Sequence, residues 1–157
     1  MNIGVALKQS FLFKDFPEAE LLRLAAIAKQ EHFAAESTLF YQGEPGDKFY
    51  LIVLGSVSVR QSRDNNPAEE LVTLGSGQYF GEMAIIDDAH ERSATIVTKE
   101  DTHLITLSRT EVQKILEHDD RLAHHFYRAL ARGLTRRLRS TTRDAAFFRA
   151  LAKHRHD

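Results

Sequence analysis

Phe49-Tyr50-Leu51-Ile52-Val53-Leu54, then Gly55, then Ser56-Val57-Ser58-Val59, is the stretch on which the reading of the fold turns. In an extended chain Phe49, Leu51 and Val53 fall on one face and Tyr50, Ile52 and Leu54 on the other. Neither face is polar, which predicts a strand covered on both sides. After Gly55 the pattern changes, and Val57 and Val59 alternating with Ser56 and Ser58 predict a strand with one face to solvent. Short apolar runs rich in Val, Ile, Thr and aromatics extend from His32 to Leu107, punctuated at Gly43, Pro45-Gly46, Asn65-Asn66-Pro67, Gly75 and Gly77. Such regular punctuation predicts a many-stranded antiparallel sandwich or barrel, with Gln61 to Ala68 as an exposed hairpin loop.

Helical patterns flank this region. Asp15-Phe16-Pro17-Glu18 reads as a helix start, with Asp15 as cap and Pro17 early in the helix, and Leu21, Leu24, Ala25 and Ala28 recur at helical spacing to about Lys29. Ser108-Arg109-Thr110-Glu111 is a capping box with Val112, Ile115 and Leu116 behind it, and Asp119-Asp120 caps a further helix. There Leu122, Phe126, Leu130, Leu134 and Leu138 recur every four residues, a stripe that must be buried, interrupted at Gly133 by a contact point or a weak spot.

The 157 residues fit a single domain, 1–157, with a helical N-terminus to about 30, a β region over about 31–107 and C-terminal helices over about 108–157. With no cysteine, neither disulfides nor thiolate zinc sites hold the fold. No leader-like or membrane-spanning run is present, so a cytoplasmic location is expected. Charge is unevenly placed: residues 1–118 carry 11 basic and 18 acidic residues, residues 119–157 carry 10 and 4. A basic C-terminal segment suits nucleic acid or an acidic membrane, or pairs with the acidic body of its own or a neighbouring subunit.

Chemistry concentrates in Phe80-Gly81-Glu82-Met83-Ala84-Ile85-Ile86 and Arg92-Ser93-Ala94-Thr95. Glycine permits close backbone approach, a carboxylate accepts hydroxyl hydrogen bonds, a helical turn offers N–H groups to an anion, and an arginine supplies the countercharge. Taken alone, Glu82 and Arg92 would read as a surface ion pair. With Leu39-Phe40-Tyr41-Gln42-Gly43-Glu44-Pro45-Gly46-Asp47-Lys48-Phe49-Tyr50-Leu51-Ile52 and Gly55 to Val59, the segment resembles the cyclic nucleotide-binding domain family, which includes bacterial cyclic-AMP receptor proteins, protein kinase A regulatory subunits and cyclic nucleotide-gated channels. The resemblance runs from about Phe11 to about Leu138 and departs at Ala35, where the family often has a turn glycine.

That resemblance implies a mainly β fold, an antiparallel β-roll (a jelly roll of the double-stranded β-helix kind) between an N-terminal helix and C-terminal helices. It implies a sensor that binds a cyclic nucleotide, signals through its C-terminal helix and has no catalytic residues. Arg92 would give two parallel N–H bonds to the cyclic phosphate, joined by backbone N–H groups at Met83 and Ala84 and by the Ser93 hydroxyl. Glu82 would accept from the ribose 2′-hydroxyl, with Gly81 against the sugar. Leu71, Leu74 and Met83 are a purine shelf or ordinary core. The base would be closed over by Arg136, Arg137 or the Phe147-Phe148 pair. Ser93, as in bacterial cyclic-AMP receptors, favours cyclic AMP, with cyclic GMP open. Further expectations are a homodimer through the C-terminal helix and an unidentified downstream protein. Three other readings compete. Only 19 residues follow Leu138, with no helix-turn-helix in them, so a DNA-binding regulator would need a longer parent chain. A cupin-like metal site is disfavoured because His32, His90, His103, His118, His124, His125, His154 and His156 form no ligand set. A degenerate fold kept for protein contacts is weakened by the presence of Gly81, Glu82 and Arg92 together.

Overall fold

A computed structural model describes residues 1–87 and 91–156; side chains at 141, 142, 144, 147, 148 and 154–156 lie outside that description, and with them His90, Phe147, Phe148, His154 and His156 as functional candidates. Among the described residues, eight strands form two four-stranded antiparallel sheets. The first is ordered β1 (Lys29–Phe33), β8 (Thr102–Ser108), β3 (Lys48–Leu54), β6 (Tyr79–Phe80), and the second β2 (Thr38–Phe40), β7 (Thr95–Thr98), β4 (Ser56–Gln61), β5 (Glu69–Gly75). This is the expected β-roll; its sheets keep separate edges and do not close into a barrel.

Strand β3 feeds two separate cores, as its double apolar face predicts. Phe49 and Leu51 pack with Phe13, in the turn between the two N-terminal helices, and with helix residues including Leu24, Val112 and Phe126. Tyr50 and Ile52 point the other way, to Phe40, Val57, Phe80 and Ile96. On β4 the predicted solvent face is absent, because Ser58 is fully buried. The strand lies between β5 and β7, Arg60 Nε donates to Ser58 Oγ at 3.1 Å, and Lys99 bridges Glu70 and Thr73 above it. Hydrogen bonds from Ser58 and then Lys99 hold the Glu70 carboxyl below its ordinary pKa.

Helices α1 (Ile3–Gln9) and α2 (Glu18–Ile27) precede the roll. The first has no separate counterpart in the sequence reading; Asn2 caps it by accepting from Val5 N–H. Where the spacing predicts a helix from Pro17 to Lys29 capped by Asp15, the cap residue is Pro17, no side chain caps it, and Lys29 already pairs with Thr106 in β1. After the roll, Ser108 accepts from Glu111 N–H at 3.2 Å to start α4 (Arg109–His118), and Asp119 Oδ1 accepts from Leu122 N–H at 3.0 Å at the head of α5 (Asp120–His156).

Helix α5 divides along its length. Leu122, Phe126 and Leu130 are buried, each contributing on the order of 1.5 to 3 kcal/mol. The rest of the predicted stripe is not: Leu134 is 36% and Leu138 68% exposed, because the helix has run past the roll's helical core. Gly133 is a contact point, since any Cβ there would collide with the Tyr79 hydroxyl. That clearance lets α5 lie against β6, immediately before Gly81.

Candidate functional site

Arg92 is held first through its backbone. Its N–H donates to Glu44 O at 2.7 Å and its carbonyl accepts from Gly43 N–H at 2.8 Å, so the β2–β3 connection anchors the residue before β7. Its side chain then runs between two glycines. A Cβ at Gly46 would stand 2.7 Å from Arg92 Nε, and one at Gly81 2.8 Å from Arg92 Nη1. Gly81 has a second reason to be glycine, a left-handed φ of +79°.

Arg92 is only 5% exposed. Nη2 donates to Lys48 O at 2.8 Å and Nη1 to Gly81 O at 3.4 Å, and the group lies over the Phe40 ring with 4.1 Å to its centroid. Among the described residues its Nε has no partner. No ion pair joins Arg92 to a described carboxylate; Asp47, Glu44 and Glu82 act on it only through space. Burial is the largest influence on its acidity, drawing the pKa below the ordinary guanidinium value. A cation so placed costs free energy that an incoming anion recovers.

Glu82 is also 5% exposed, and its partner is not Arg92. Arg137 of α5 reaches in: Nη1 pairs with Glu82 Oε1, Nη2 donates to Tyr79 O at 2.8 Å, and the guanidinium lies 4.8 Å from the Tyr79 ring centroid. Both cations line a cavity of about 590 Å3, a volume suited to a small organic ligand. Arg92 belongs to the roll wall and Arg137 to the helix wall.

Of the expected site residues, Leu71, Leu74, Gly81, Glu82, Met83, Arg92, Ser93 and Arg137 line this cavity. Leu71 and Met83 are substantially exposed into it, which answers the alternative of ordinary core. Ala84 does not line it. It is buried in α3 (Met83–Ile86), and its N–H donates to Gly81 O at 3.2 Å, so the donor expected to face an anion is used inside the turn. Arg136 does not line it either. Sequence reasoning missed Phe40, Gln78 and Ser140 in the lining and Gly46 behind Arg92. Ser140 had a usable signal, three residues and nearly one helical turn beyond Arg137. Phe40 had none, since its place under the guanidinium follows from the pairing of β2 with β7.

Comparison with known proteins identifies the family. The family profile described as cyclic nucleotide-binding domain matches residues 30–119. The chain is similar to the cyclic AMP receptor protein of Thermus thermophilus, 31% identical over 82% of the chain and 59% of the relative, and to human cGMP-dependent protein kinase 2, 32% identical over 71% and 16%. It therefore spans only part of these relatives. A crystal structure of a cyclic nucleotide-binding domain from Methylobacillus flagellatus superposes with a TM-score of 0.78 at 29% identity, covering 88% of this chain and 78% of that one.

Proposed function

We propose, from the premise that the chain belongs to the cyclic nucleotide-binding domain family, that it senses a cyclic nucleotide by reversible binding, without turnover, and reports occupancy through α5. The observation that carries this reading is Arg92, a buried cation that among the described residues has an unmet Nε and no carboxylate partner, beside a cavity of ligand size. The cyclic phosphate is the anion of right size and charge, and a bidentate approach by guanidinium suits it. Leu71, Leu74 and Met83 offer apolar surface to a purine. Cyclic AMP is the favoured ligand on the strength of Ser93, and the location is proposed to be cytoplasmic.

Two contacts support a route to α5. Ile85 of α3 packs in the same core as Phe126 and Leu130, so movement of the turn after Glu82 changes the surface on which α5 rests. Gln113 Nε2 of α4 donates to Ile85 O at 3.0 Å, tying the turn to the preceding helix as well. A ligand shifts such an element only by binding its two positions unequally. The ribose hydroxyl and Arg137 share one acceptor, Glu82, and that shared group supplies the inequality. Tyr127, Leu134 and Leu138, exposed seven and then four residues apart on α5, provide an apolar seam for a homodimer, with a further protein downstream.

A second reading, a fold kept for protein contacts with no ligand, draws on one observation: Arg137 already occupies Glu82. Calorimetry and thermal melts with cyclic AMP and cyclic GMP, on protein stripped of co-purified ligand, decide between them. Binding heat and a melting temperature that climbs with ligand concentration are expected. No heat and no shift at millimolar nucleotide would overturn the sensing reading.

A further inference from the structure

On α5, the positions 121, 125, 128, 132, 136, 139 and 143 share one face, an arc of about 80° at 3.6 residues per turn. Six of them are arginine: Arg121, Arg128, Arg132, Arg136, Arg139 and Arg143. The seventh, His125, is taken by α2, its Nδ1 lying 2.8 Å from Glu20 Oε1. All six arginines are exposed and none lines the cavity. Among the described residues none of them makes an ion pair. They form a line about 33 Å long at 1.5 Å per residue.

The choice of cation carries information beyond the charge. Helix α5 holds nine arginines and one lysine, while the preceding 119 residues hold five arginines and six lysines. Lysine would solvate a helix and hold it as well as arginine does. What arginine adds is a flat fork of donors matched to phosphate and carboxylate oxygens. The segregation of the two cations within one chain therefore points to recognition by this face.

We propose that the arginine face of α5 docks on the phosphate backbone of a nucleic-acid duplex. A duplex strand presents singly charged groups in a regular row, and the arginines follow one another at steps of about 4.5 to 10.5 Å along a straight helix. An anionic membrane fits less well. Helices that lie in a lipid interface sink large apolar side chains next to the basic ones, and no Leu, Ile, Val, Phe, Met or Trp falls in this arc between 121 and 143. The net negative charge of the domain falls within residues 1–118, and of these residues Glu20 meets the face at His125. The face is separate from the cavity, so duplex binding is readable with or without cyclic nucleotide.

Fluorescence anisotropy of a labelled duplex of about 24 base pairs, titrated with the full chain between about 50 and 300 mM KCl, tests this through the salt dependence. Six phosphate contacts give a slope of log K against log salt of about −5, and the triple variant Arg132→Gln, Arg136→Gln, Arg139→Gln lowers it to about −3. The melting temperature of that variant should match the parent, because the three side chains are exposed and make no ion pair among the described residues. Absence of binding at the lowest salt, an unchanged slope in the triple variant, or stronger capture by phosphatidylserine vesicles or poly-glutamate than by the duplex would each overturn the proposal.

Discussion

The two walls of the cavity hold their arginines by opposite means. Arg92 on the roll is pinned by backbone: two carbonyls accept from it, two glycines make room for it, and its own main chain is fastened to residues 43 and 44. Arg137 on α5 is half-exposed and held mainly by one side chain, Glu82, and one carbonyl. One wall is fixed by backbone, while the other depends on a carboxylate that, under the proposed function, a ligand hydroxyl would share. A sensor needs both kinds, a fixed grip and a contact that can be exchanged.

The largest expected effect falls on the fixed wall. Arg92→Ala should weaken cyclic nucleotide binding by about 1.5 to 3 kcal/mol, roughly 10- to 150-fold by calorimetry, with Arg92→Lys recovering only part because it restores charge without the fork. Parent-like affinity in a folded Arg92→Ala protein would break the comparison. Glu82→Gln should cost less, about 1 kcal/mol of affinity, and should also raise hydrogen exchange over residues 131–140 without ligand. Arg137→Ala sharpens the contrast: it should loosen the same helix segment yet leave affinity within a few-fold of the parent. On proposed nucleotide binding, protection should change over both 81–94 and 121–138. A change confined to 81–94 would leave the helix wall out of the response.

Gly133→Ala tests how closely that wall is fitted. In an exposed helix the change would stabilise by about 1 kcal/mol, but here the added carbon meets the Tyr79 hydroxyl, so a net loss of about 1 kcal/mol and a lower melting temperature are expected. Tyr79→Phe should restore part of it by removing the oxygen. The smallest effect belongs to Glu70, beside Leu71 on the cavity's rim. Its pKa is lowered in the folded chain, so its contribution is present above the ordinary carboxylate value of 4.5 and is lost as pH falls through the lower folded value. Glu70→Gln should flatten the acid limb of melting temperature against pH in that window, with a small loss present at neutral pH that disappears below the lower folded value.

Much of this was legible in residue types. The two apolar faces of Phe49 to Leu54 announce a strand between two cores, and the caps at Ser108 and Asp119 start helices where they should. The misses share a physical cause. Ser58 is polar in sequence and buried in fact because its strand lies between β5 and β7 and Lys99 bridges Glu70 and Thr73 above it, and pairing across strands is not written in local periodicity. Leu134 and Leu138 continue a perfect period past the point where the body beneath them ends. At the site, Gly81, Glu82 and Arg92 could be named from the chain, but the match of Glu82 with Arg137, 55 positions away, needed the position of α5 against Tyr79.

The slot that admits Arg92 bears on how such a chain can change over generations. Gly46 lies 46 positions from Arg92 in the chain and is absent from the cavity's lining, yet a single added methyl there would stand against the guanidinium. A one-codon change to alanine at Gly46 should therefore read in a genetic screen as loss of the arginine itself. Ser93, which does line the cavity and is exposed, can vary and only tune the response. Where a site depends on clearance, heredity can erase it by addition as readily as by removal, and at residues that no map of ligand contacts would mark.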